Sequence, residues 1–406
     1  MRTIGIVAEY NPFHSGHGSH LAALRQTFGP GCAIVCAMSG NWVQRGQPAL
    51  ADKWTRAALA LSHGVDLVLE LPTLWAAASA EAFARGGVGV LAAAGVVDTL
   101  SFGSEAGALS PLRQVADCLH TPAWQAALHD GLDRGLSFPA ARQQAARALV
   151  GEAADCLSLP NNNLGVEYLL ALEALGSTIV PHTLPRQGAG HDQAPQAGHS
   201  SASWLRQQIL AEDPTPLAPY LSPPEEEILR ADPASLTACT LGVLARLRTL
   251  SEADFARLPD CGEGLSHRFF RAAQSAVSLP DLYAQVQSKR YPLARVRRLV
   301  LWAFLGLRAD DRPAGLPYLR VLGFSPRGQE LLRQMKTAAA LPVLVKPAHA
   351  ARLADPAARR VFELEARCTA LYDLCRKNFG RTPGPTEYAR SPVRWDPGAT
   401  AKGHRP

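Results

Sequence analysis

Two histidines, His14 and His17, stand on either side of Gly16, just after the first β-branched run of the sequence. That run, TIGIVA at 3–8, predicts a strand, and the spacing of apolar residues after it predicts a helix. In a parallel α/β sheet such a helix begins at the carboxyl edge of the sheet, where its free N–H groups and its dipole favour an anion. Gly16 would let the backbone approach that anion, and the imidazoles could donate to oxygens that gain charge when a phosphate is attacked. The pattern therefore predicts a phosphate-binding site.

A second candidate for anion binding is SASWLR at 201–206. Small hydroxyl residues that open a helix can cap it and bond a phosphate, and Arg206 adds a charged fork one turn later. Ordinary helix capping explains the same serines, and the two histidines could simply line a turn. A zinc site is a weaker interpretation, because His14 and His17 have no cysteine or carboxylate partners at metal-ligand spacing.

The first 210 residues alternate between strand-like and helix-like runs. Strands are predicted at 3–8, 32–38, 65–72, 96–103 and 177–184. Apolar strands separated by helices indicate a parallel sheet buried on both faces, with its ligand beyond the carboxyl ends of the strands. After the proline-rich segment 210–227 the pattern predicts helices only. We therefore predict a Rossmann-like α/β domain at 1–212, an all-α domain at 213–380 and a poorly ordered tail at 381–406.

Composition narrows the class of protein. Hydrophobic residues make up 47% and charged residues 19% of the 406 residues, as in ordinary globular proteins. No apolar run reaches the ~20 residues of a membrane span, and no leader precedes the first strand-like run. The eight cysteines form no CxxC pair and no zinc spacing, which favours reduced thiols. These features predict a cytoplasmic protein without a membrane segment.

Charge is distributed unevenly along the chain. Residues 1–220 carry a net charge of −5, whereas residues 221–406 carry +11. A basic half indicates a polyanionic partner, although an arginine-rich surface could also serve solubility alone. The basic segment at 289–298, before a predicted apolar helix, could bind the phosphate backbone of an RNA. Alternatively, it is only the solvent-exposed end of that helix. Its basic residues are Lys289, Arg290, Arg295, Arg297 and Arg298.

The segment GNWVQRGQPALADKWTR at 40–56 follows the second predicted strand. In a functional interpretation its polar residues would face the cleft, because loops at this edge of a sheet often carry function. In a structural interpretation Asp52 caps the next helix and Trp54 packs against the core. The residues that would face the cleft are Gln44, Arg45, Lys53 and Arg56.

Several long motifs occur in order along the chain. They are GIVAEYNPFHSGH, MSGNWVQRGQPALADKWTRA, DLVLELP, SAEAFARGGV, LSFGSE, PNNNLGVEYLLAL and SASWLR. Together they resemble the bacterial tRNA(Met) cytidine acetate ligase family, within the HIGH-motif nucleotidyltransferase superfamily. The segments 288–307 and 317–332 also resemble the helical region of that family.

The resemblance implies an ATP-dependent ligase with a nucleotidyltransferase domain at 1–212. Such an enzyme would activate acetate as acetyl-adenylate, with Mg²⁺ on the phosphates, and acetylate N4 of the wobble cytidine of elongator tRNA(Met). The chemistry of the residues themselves predicts that His14, His17 and Arg206 are the catalytic residues, which stabilise the phosphates, and that residues 213–380 bind the tRNA. The ATP contacts implied are Val7, Ala8, Glu9, Tyr10, Asn11, Pro12, Phe13, His14, Gly16, His17, His20, Gly103, Asn162, Arg186 and Ser201.

Two other functions fit parts of the sequence. An adenylyltransferase that acts on a small cofactor precursor would use the same phosphate site, but it would leave the basic half unexplained. A non-catalytic RNA-binding protein would have no physical need for both HSGH and SASWLR. The ligase is the function that these patterns favour.

Overall fold

The computed structural model describes residues 2–186, 200–213, 215–262, 264–379 and 386–396. Within them the strands are β1 (Thr3–Ala8), β2 (Ala33–Ser39), β3 (Trp42–Val43), β4 (Gln47–Pro48), β5 (Leu67–Leu71), β6 (Thr99–Ser104), β7 (Val180–Pro185), β8 (Leu319–Phe324), β9 (Val343–Leu344) and β10 (Val393–Arg394). The α-helices are α1 (Ser15–Phe28), α2 (Lys53–Ser62), α3 (Thr73–Ala76), α4 (Ala80–Ala93), α5 (Leu109–Leu119), α6 (Pro122–Asp133), α7 (Phe138–Val150), α8 (Pro160–Ala174), α9 (Ala202–Leu210), α10 (Pro223–Ala231), α11 (Thr240–Arg248), α12 (Glu252–Ala256), α13 (Leu265–Ser275), α14 (Leu279–Val286), α15 (Leu293–Leu305), α16 (Pro326–Ala338), α17 (Pro356–Asp373) and α18 (Thr386–Ala389). Short 3₁₀ helices lie at Gly151–Ser158, Leu236–Cys239, Ala309–Asp311 and Pro347–Arg352.

The five strands predicted for the first half form one parallel array in the order β5-β2-β1-β6-β7. β1 pairs with β2 along its whole length, from Thr3 opposite Ala33 to Ala8 opposite Met38. The order of the strands reverses at β1, with β2 on one side and β6 on the other. The α/β class is confirmed, and the reversal between β1 and β6 is the switch point where ligands bind in such sheets.

Both faces of the sheet are buried, as the continuous apolar strands predicted. On β2, Ile34, Cys36 and Met38 belong to a hydrophobic cluster with residues of α1 and α2. The alternate residues Val35 and Ala37 belong to a larger cluster with residues of α4, α5 and α8. Because successive side chains of a strand point to opposite faces, β2 contributes to both clusters and lies at the centre of the fold.

The second half of the chain is mainly helical, but the prediction of helices only after residue 212 is wrong. β8 pairs with β5 in antiparallel orientation, and β9 and β10 extend the sheet beside β8. All six residues of β8 are buried. Because every residue of β8 is buried, including Arg320, the strand shows no alternation of buried apolar and exposed polar residues, and its pattern does not distinguish a strand from a helix segment.

The predicted poorly ordered tail is also wrong for residues 386–396, which form α18 and β10. The carboxylate of Glu387 is buried and makes ion pairs with Lys53 at 2.7 Å and with Arg320 at 3.1 Å. These contacts hold residues 386–396 against the sheet. Residues 381–385 and 397–406 lie outside the described residues.

α15 connects the helical half with the sheet half. Most of its residues from Val296 to Leu305 are buried, and the indole nitrogen of Trp302 donates to the carbonyl oxygen of Ala77 at 2.6 Å. One hydrophobic cluster contains residues of α4 and α8 together with residues of α11, α15 and α17. In the part of the chain that the structure describes, no helix has the length and apolar character needed to cross a bilayer.

Candidate nucleotide-binding cleft

A cleft of about 1500 Å³ opens at the carboxyl ends of the central strands. Residues 7–10 line it at the end of β1, Gly103 lines it on β6, and residues 184–186 line it at the end of β7. It therefore lies at the switch point, where the HSGH motif also begins α1.

His14 and His17 cap the first turn of α1 with their side chains. The Nδ1 atom of His14 accepts from the backbone N–H of Gly16 at 3.1 Å. The Nδ1 atom of His17 accepts from the backbone N–H of His14 at 3.3 Å, which completes a reciprocal capping box. Because both Nδ1 atoms accept, each neutral ring carries its proton on Nε2. Capping and ligand binding are thus compatible: one nitrogen holds the turn, and the other is a donor.

Burial keeps His17 and His20 neutral. The ring of His17 lies 4.0 Å from that of His14, 4.9 Å from Tyr10 and 5.4 Å from Phe13, measured between ring centroids. Burial, reinforced by the neighbouring His14, lowers the pKa of His17 well below its usual range. Burial lowers the pKa of His20 to about 4. At neutral pH both imidazoles are uncharged, so His17 can donate one hydrogen bond from Nε2 without first binding a proton.

Gly16 has a structural role that the sequence did not indicate. A Cβ atom at this position would lie 3.0 Å from Cε1 and 3.2 Å from Nδ1 of His14. The absence of a side chain lets the His14 ring fold over the turn and accept from the Gly16 amide.

Arg206 links α9 to the segment that follows β1. One of its Nη atoms donates to the carbonyl oxygen of Asn11 at 2.6 Å, and the other donates to Oγ of Ser203 at 3.0 Å. Asn11 is held in turn because its Oδ1 accepts from the amide of Leu50 at 2.8 Å. Arg206 lines the cleft together with His14 and His17, so the structure brings the three predicted catalytic residues together.

Most of the predicted ATP contacts line the cleft. They are Val7, Ala8, Glu9, Tyr10, Asn11, His14, Gly16, His17, His20, Gly103 and Arg186. Tyr10 has a positive φ of 45°, an uncommon conformation for a residue other than glycine. Burial lowers the pKa of the Arg186 guanidinium, although an arginine stays charged at any physiological pH.

Four predicted ATP contacts do not line the cleft: Pro12, Phe13, Asn162 and Ser201. The ring of Phe13 stacks on His63 with centroids 4.3 Å apart. Asn162 is buried, and its Oδ1 accepts from the amide of Ala106 at 2.9 Å. Ser201 is buried as the N-cap of α9. Phe13, Asn162 and Ser201 hold segments around the cleft in place, and Asn161 and Asn163 are the asparagines of PNNN that reach it.

The segment 40–56 divides into a part that lines the cleft and a buried part. Gln44 and Arg45 line the cleft as predicted. The prediction that Lys53 and Arg56 face it is wrong, because both are fully buried. The nearby carboxylate of Glu70 accepts from Lys53 Nζ at 2.6 Å.

Arg56 is buried beside the cleft and stabilises the backbone around it. It donates to the carbonyl oxygens of Glu9 at 2.5 Å, Ser39 at 3.0 Å and Ala51 at 3.0 Å, and it also donates to the carbonyl oxygen of Gly40. These carbonyls belong to the ends of β1 and β2 and to the loop that follows, so Arg56 positions the backbone that surrounds the cleft.

The predicted tRNA contacts also divide. Arg290, Arg295 and Arg298 line the cleft, whereas Lys289 and Arg297 do not. Arg295 donates to the carbonyl oxygen of Asp260 at 3.0 Å from Nε. The start of α15 therefore brings three positive charges to the same cleft as the HSGH turn.

One part of the lining was missed by the sequence analysis. The turn between α6 and α7 contributes Leu132, Asp133, Gly135, Leu136, Ser137, Phe138 and Pro139. The apolar residues on either side of Gly135 were the only available signal, and such residues are more often part of a core.

Comparison with known proteins agrees with this geometry. The model of the family described as "HIGH Nucleotidyl Transferase" matches residues 1–384. The "tRNA(Met) cytidine acetate ligase" of Syntrophomonas wolfei is 36% identical over 414 residues, covering 97% of this chain and 99% of that protein. The protein of the same name from Acetivibrio thermocellus is 35% identical over 399 residues, covering 93% and 96%. The chain belongs to the HIGH nucleotidyltransferases and, within them, to the tRNA(Met) cytidine acetate ligase family.

Two solved structures share the whole fold. The apo form of Thermotoga maritima TmcAL superposes with a TM-score of 0.92 at 31% identity, over 98% of this chain and 100% of that one. The same protein bound to alpha-thio ATP superposes with a TM-score of 0.91, at the same identity and coverage. The family resemblance and the α/β fold are thereby confirmed.

Proposed function

We propose that this protein is an ATP-dependent ligase that activates acetate as acetyl-adenylate and transfers the acetyl group to N4 of the wobble cytidine, position 34, of elongator tRNA(Met). The observation that carries the proposal is the convergence of His14, His17 and Arg206 in the switch-point cleft of a chain from this family. The related TmcAL structure that contains alpha-thio ATP supports ATP as the nucleotide.

In the first step, a carboxylate oxygen of acetate attacks the α-phosphorus of ATP, and pyrophosphate leaves. This reaction needs positioning and stabilisation of the phosphoryl oxygens rather than a protein nucleophile. The Nε2–H group of His17 and the N-terminus of α1 would donate to those oxygens. His14 would act beside it, and Arg206 and Arg186 would add positive charge.

The neutral state of His17 suits this role. Burial lowers the pKa of His17, so the imidazole carries no charge before ATP binds. It would stabilise the developing charge as a hydrogen-bond donor. The arginines of the cleft supply the net positive charge.

Mg²⁺ is part of the proposal through ATP. The described residues contain no group of three His, Cys, Asp or Glu side chains arranged to hold an ion. Mg²⁺ at nucleotide sites takes most of its ligands from phosphates and water, with one or two carboxylates. Glu9, directly after the end of β1, is a carboxylate that lines the cleft. When bound, the ion would neutralise phosphate charge.

In the second step, the exocyclic amine of the cytidine attacks the acetyl carbon, and AMP leaves. A base of an anticodon loop can be unstacked and presented as a single strand. Arg290, Arg295 and Arg298 would attract the RNA backbone to the cleft. Such a substrate would place the enzyme in the cytoplasm.

The alternative, adenylyl transfer to a small cofactor precursor, has less support. A small cofactor precursor would not require the basic residues at the start of α15 for binding. Both curated relatives described above match at least 93% of this chain, including its helical half.

The test is pyrophosphate exchange with purified protein, ATP, Mg²⁺ and either acetate or no acid, followed by acetylation of elongator tRNA(Met). The proposal predicts exchange that depends on acetate and acetyl transfer to the wobble cytidine. His17→Ala should lower the exchange rate about 100- to 1000-fold, as the loss of one donor to a transition-state oxyanion does.

Two variants control this experiment. His17→Gln keeps an acceptor that completes the capping box and an N–H group that can donate to a phosphate oxygen, so it should fold normally and retain more activity than the alanine variant. His129→Ala changes a histidine that lies on the exposed surface of α6 and should leave the rate unchanged. Exchange that is independent of acetate, or full activity of His17→Ala, would contradict the proposal.

A further inference from the structure

The turn between α6 and α7 presents apolar side chains to the solvent of the cleft. Phe138 is 54% exposed and Leu132 is 37% exposed, and both line the cleft. Neither belongs to a hydrophobic cluster of the described residues, and the buried residues of α7 are Ala141, Ala145 and Ala146. Phe138 therefore contributes little to the core, and its exposed ring requires another explanation.

The cleft that Phe138 lines is also lined by arginines. Arg45, Arg290 and Arg298 line the same cleft, from the loop after β2 and from the start of α15. An exposed aromatic ring together with arginines is the combination that binds single-stranded nucleic acid, because the bases stack on the ring and the phosphates meet the charges.

The cleft is large enough for more than a mononucleotide. Pockets for small ligands usually span ~300–1000 Å³, whereas this cleft measures about 1500 Å³. The HSGH turn and the ends of β1 and β6, proposed to bind the nucleotide, line this cleft together with the α6–α7 turn, which carries the exposed ring. A volume above the usual range for one small ligand leaves room for an unstacked base beside a bound nucleotide.

We propose that Phe138 is a stacking platform for a base of the anticodon loop, and that it positions the RNA for acetyl transfer. This inference rests on the proposed function and adds to it a residue that contacts the RNA. Leu132 would extend the apolar surface beside the ring. Arg290 and Arg298 would hold the adjoining phosphates.

The experiment compares Phe138→Ala, Phe138→Trp and Leu149→Ala in two assays. Leu149 is an exposed apolar residue of the same helix that does not line the cleft, so its replacement controls for general effects on α7. One assay is acetate-dependent pyrophosphate exchange without tRNA, with the KM for ATP measured. The other is kcat/KM for acetylation of elongator tRNA(Met).

Phe138→Ala should lower kcat/KM for the tRNA relative to the exchange rate by about 5- to 150-fold, the effect of losing one base–aromatic stack. Phe138→Trp should restore it, since the larger ring also stacks. Leu149→Ala should change neither assay. The anticodon stem-loop RNA alone should bind Phe138→Ala more weakly than the wild-type protein by a similar factor.

Three results would overturn the inference while leaving the ligase reaction intact. Equal kcat/KM for Phe138→Ala and wild type would show that no base stacks there. A raised KM for ATP with an unchanged ratio of the two activities would assign the ring to the adenine of ATP. Failure of Phe138→Trp to restore activity would remove stacking as the cause. Absence of acetate-dependent exchange in the wild-type protein would instead overturn the proposed function.

Discussion

Gly46 is the point where the loop that carries Gln44 and Arg45 meets the backbone of α15, and Gly46→Ala tests that contact. Its φ is +72°, in the left-handed region. A Cβ atom there would lie 2.5 Å from the carbonyl carbon of Arg297 and 2.5 Å from the amide nitrogen of Arg298. Both are main-chain atoms, so no change of side-chain rotamer can relieve the overlap. Either the loop or α15 must move.

The expected loss of stability has two components. A left-handed conformation costs an L-residue roughly 1–2 kcal/mol. Forcing an extra methyl group into a well-packed contact costs typically about 1–3 kcal/mol. Gly46→Ala should therefore lower the free energy of unfolding by about 2–5 kcal/mol. It should also reduce activity, because Arg45 and Arg298 both line the cleft and would be displaced.

The assay is urea denaturation of the wild-type protein, Gly46→Ala and Gly64→Ala. Gly64 has a φ of +97°, and a Cβ atom added there would meet open space within 4 Å, so its replacement reports backbone strain alone. The control should lose only about 1–2 kcal/mol and keep its exchange activity. If Gly46→Ala is destabilised no more than Gly64→Ala, the close packing of the loop against α15 is refuted.

Two further predictions concern buried charges and pH. Lys53→Met should lower the free energy of unfolding by roughly 3–5 kcal/mol, because it leaves buried carboxylates without their cation. Arg134→Met removes an exposed ion pair and should change the free energy of unfolding by less than about 1 kcal/mol in the same denaturation assay. Equal effects of the two substitutions would contradict this prediction. Burial lowers the pKa of His20 from 6.5 to about 4, so protonation favours the unfolded chain. The contribution of neutral His20 to stability is therefore complete above pH 6.5. It is lost as the pH falls towards 4, by up to about 3 kcal/mol. Denaturation at several pH values should show this slope reduced in His20→Gln, and an identical slope in the variant would contradict the assignment.

The fold of the first half could be predicted because its signals are local. Each of the five strands is a continuous apolar run bounded by turn residues, and the structure places all five within a few residues of the predicted limits. β8 could not be separated from the helices around it, because all six of its residues are buried, Arg320 among them, so its sequence follows neither a helical nor a strand period. Its assignment depends on its pairing with β5, which lies some 250 residues earlier in the chain.

The candidate site could be predicted where a motif is contiguous. HSGH forms its own cap within four residues, so its geometry follows from local chemistry. Lys53 gave no such signal. It forms ion pairs with Glu70 and Glu387. Burial disfavours the charged form of Lys53, but the charges of these two carboxylates raise its pKa. A lysine near a cleft is expected to face solvent unless its distant partners are known. The same distance explains why Glu387 was assigned to a disordered tail.

The loop at residues 40–51 connects the surfaces that we propose for ATP and for RNA. Its Trp42 donates to the carbonyl oxygen of Cys368 at 3.0 Å, and its Ala49 carbonyl accepts from the hydroxyl of Tyr372 at 2.9 Å, so α17 holds the loop from the helical half. At its other side the amide of Gln44 donates to the Glu9 carboxylate at 2.8 Å, at the end of β1. The basic start of α15 packs on the same loop through Gly46.

The surfaces proposed for ATP and for RNA are therefore parts of one packed unit. A chain divided near residue 212 would lose the contacts that α17 and α15 make with the loop. Because the loop carries Gln44 and Arg45 into the cleft, removal of the helical half should impair acetyl-adenylate formation as well as RNA binding. In this architecture the mixed anhydride would form beside the amine that consumes it, and the reactive intermediate would not need to leave the cleft.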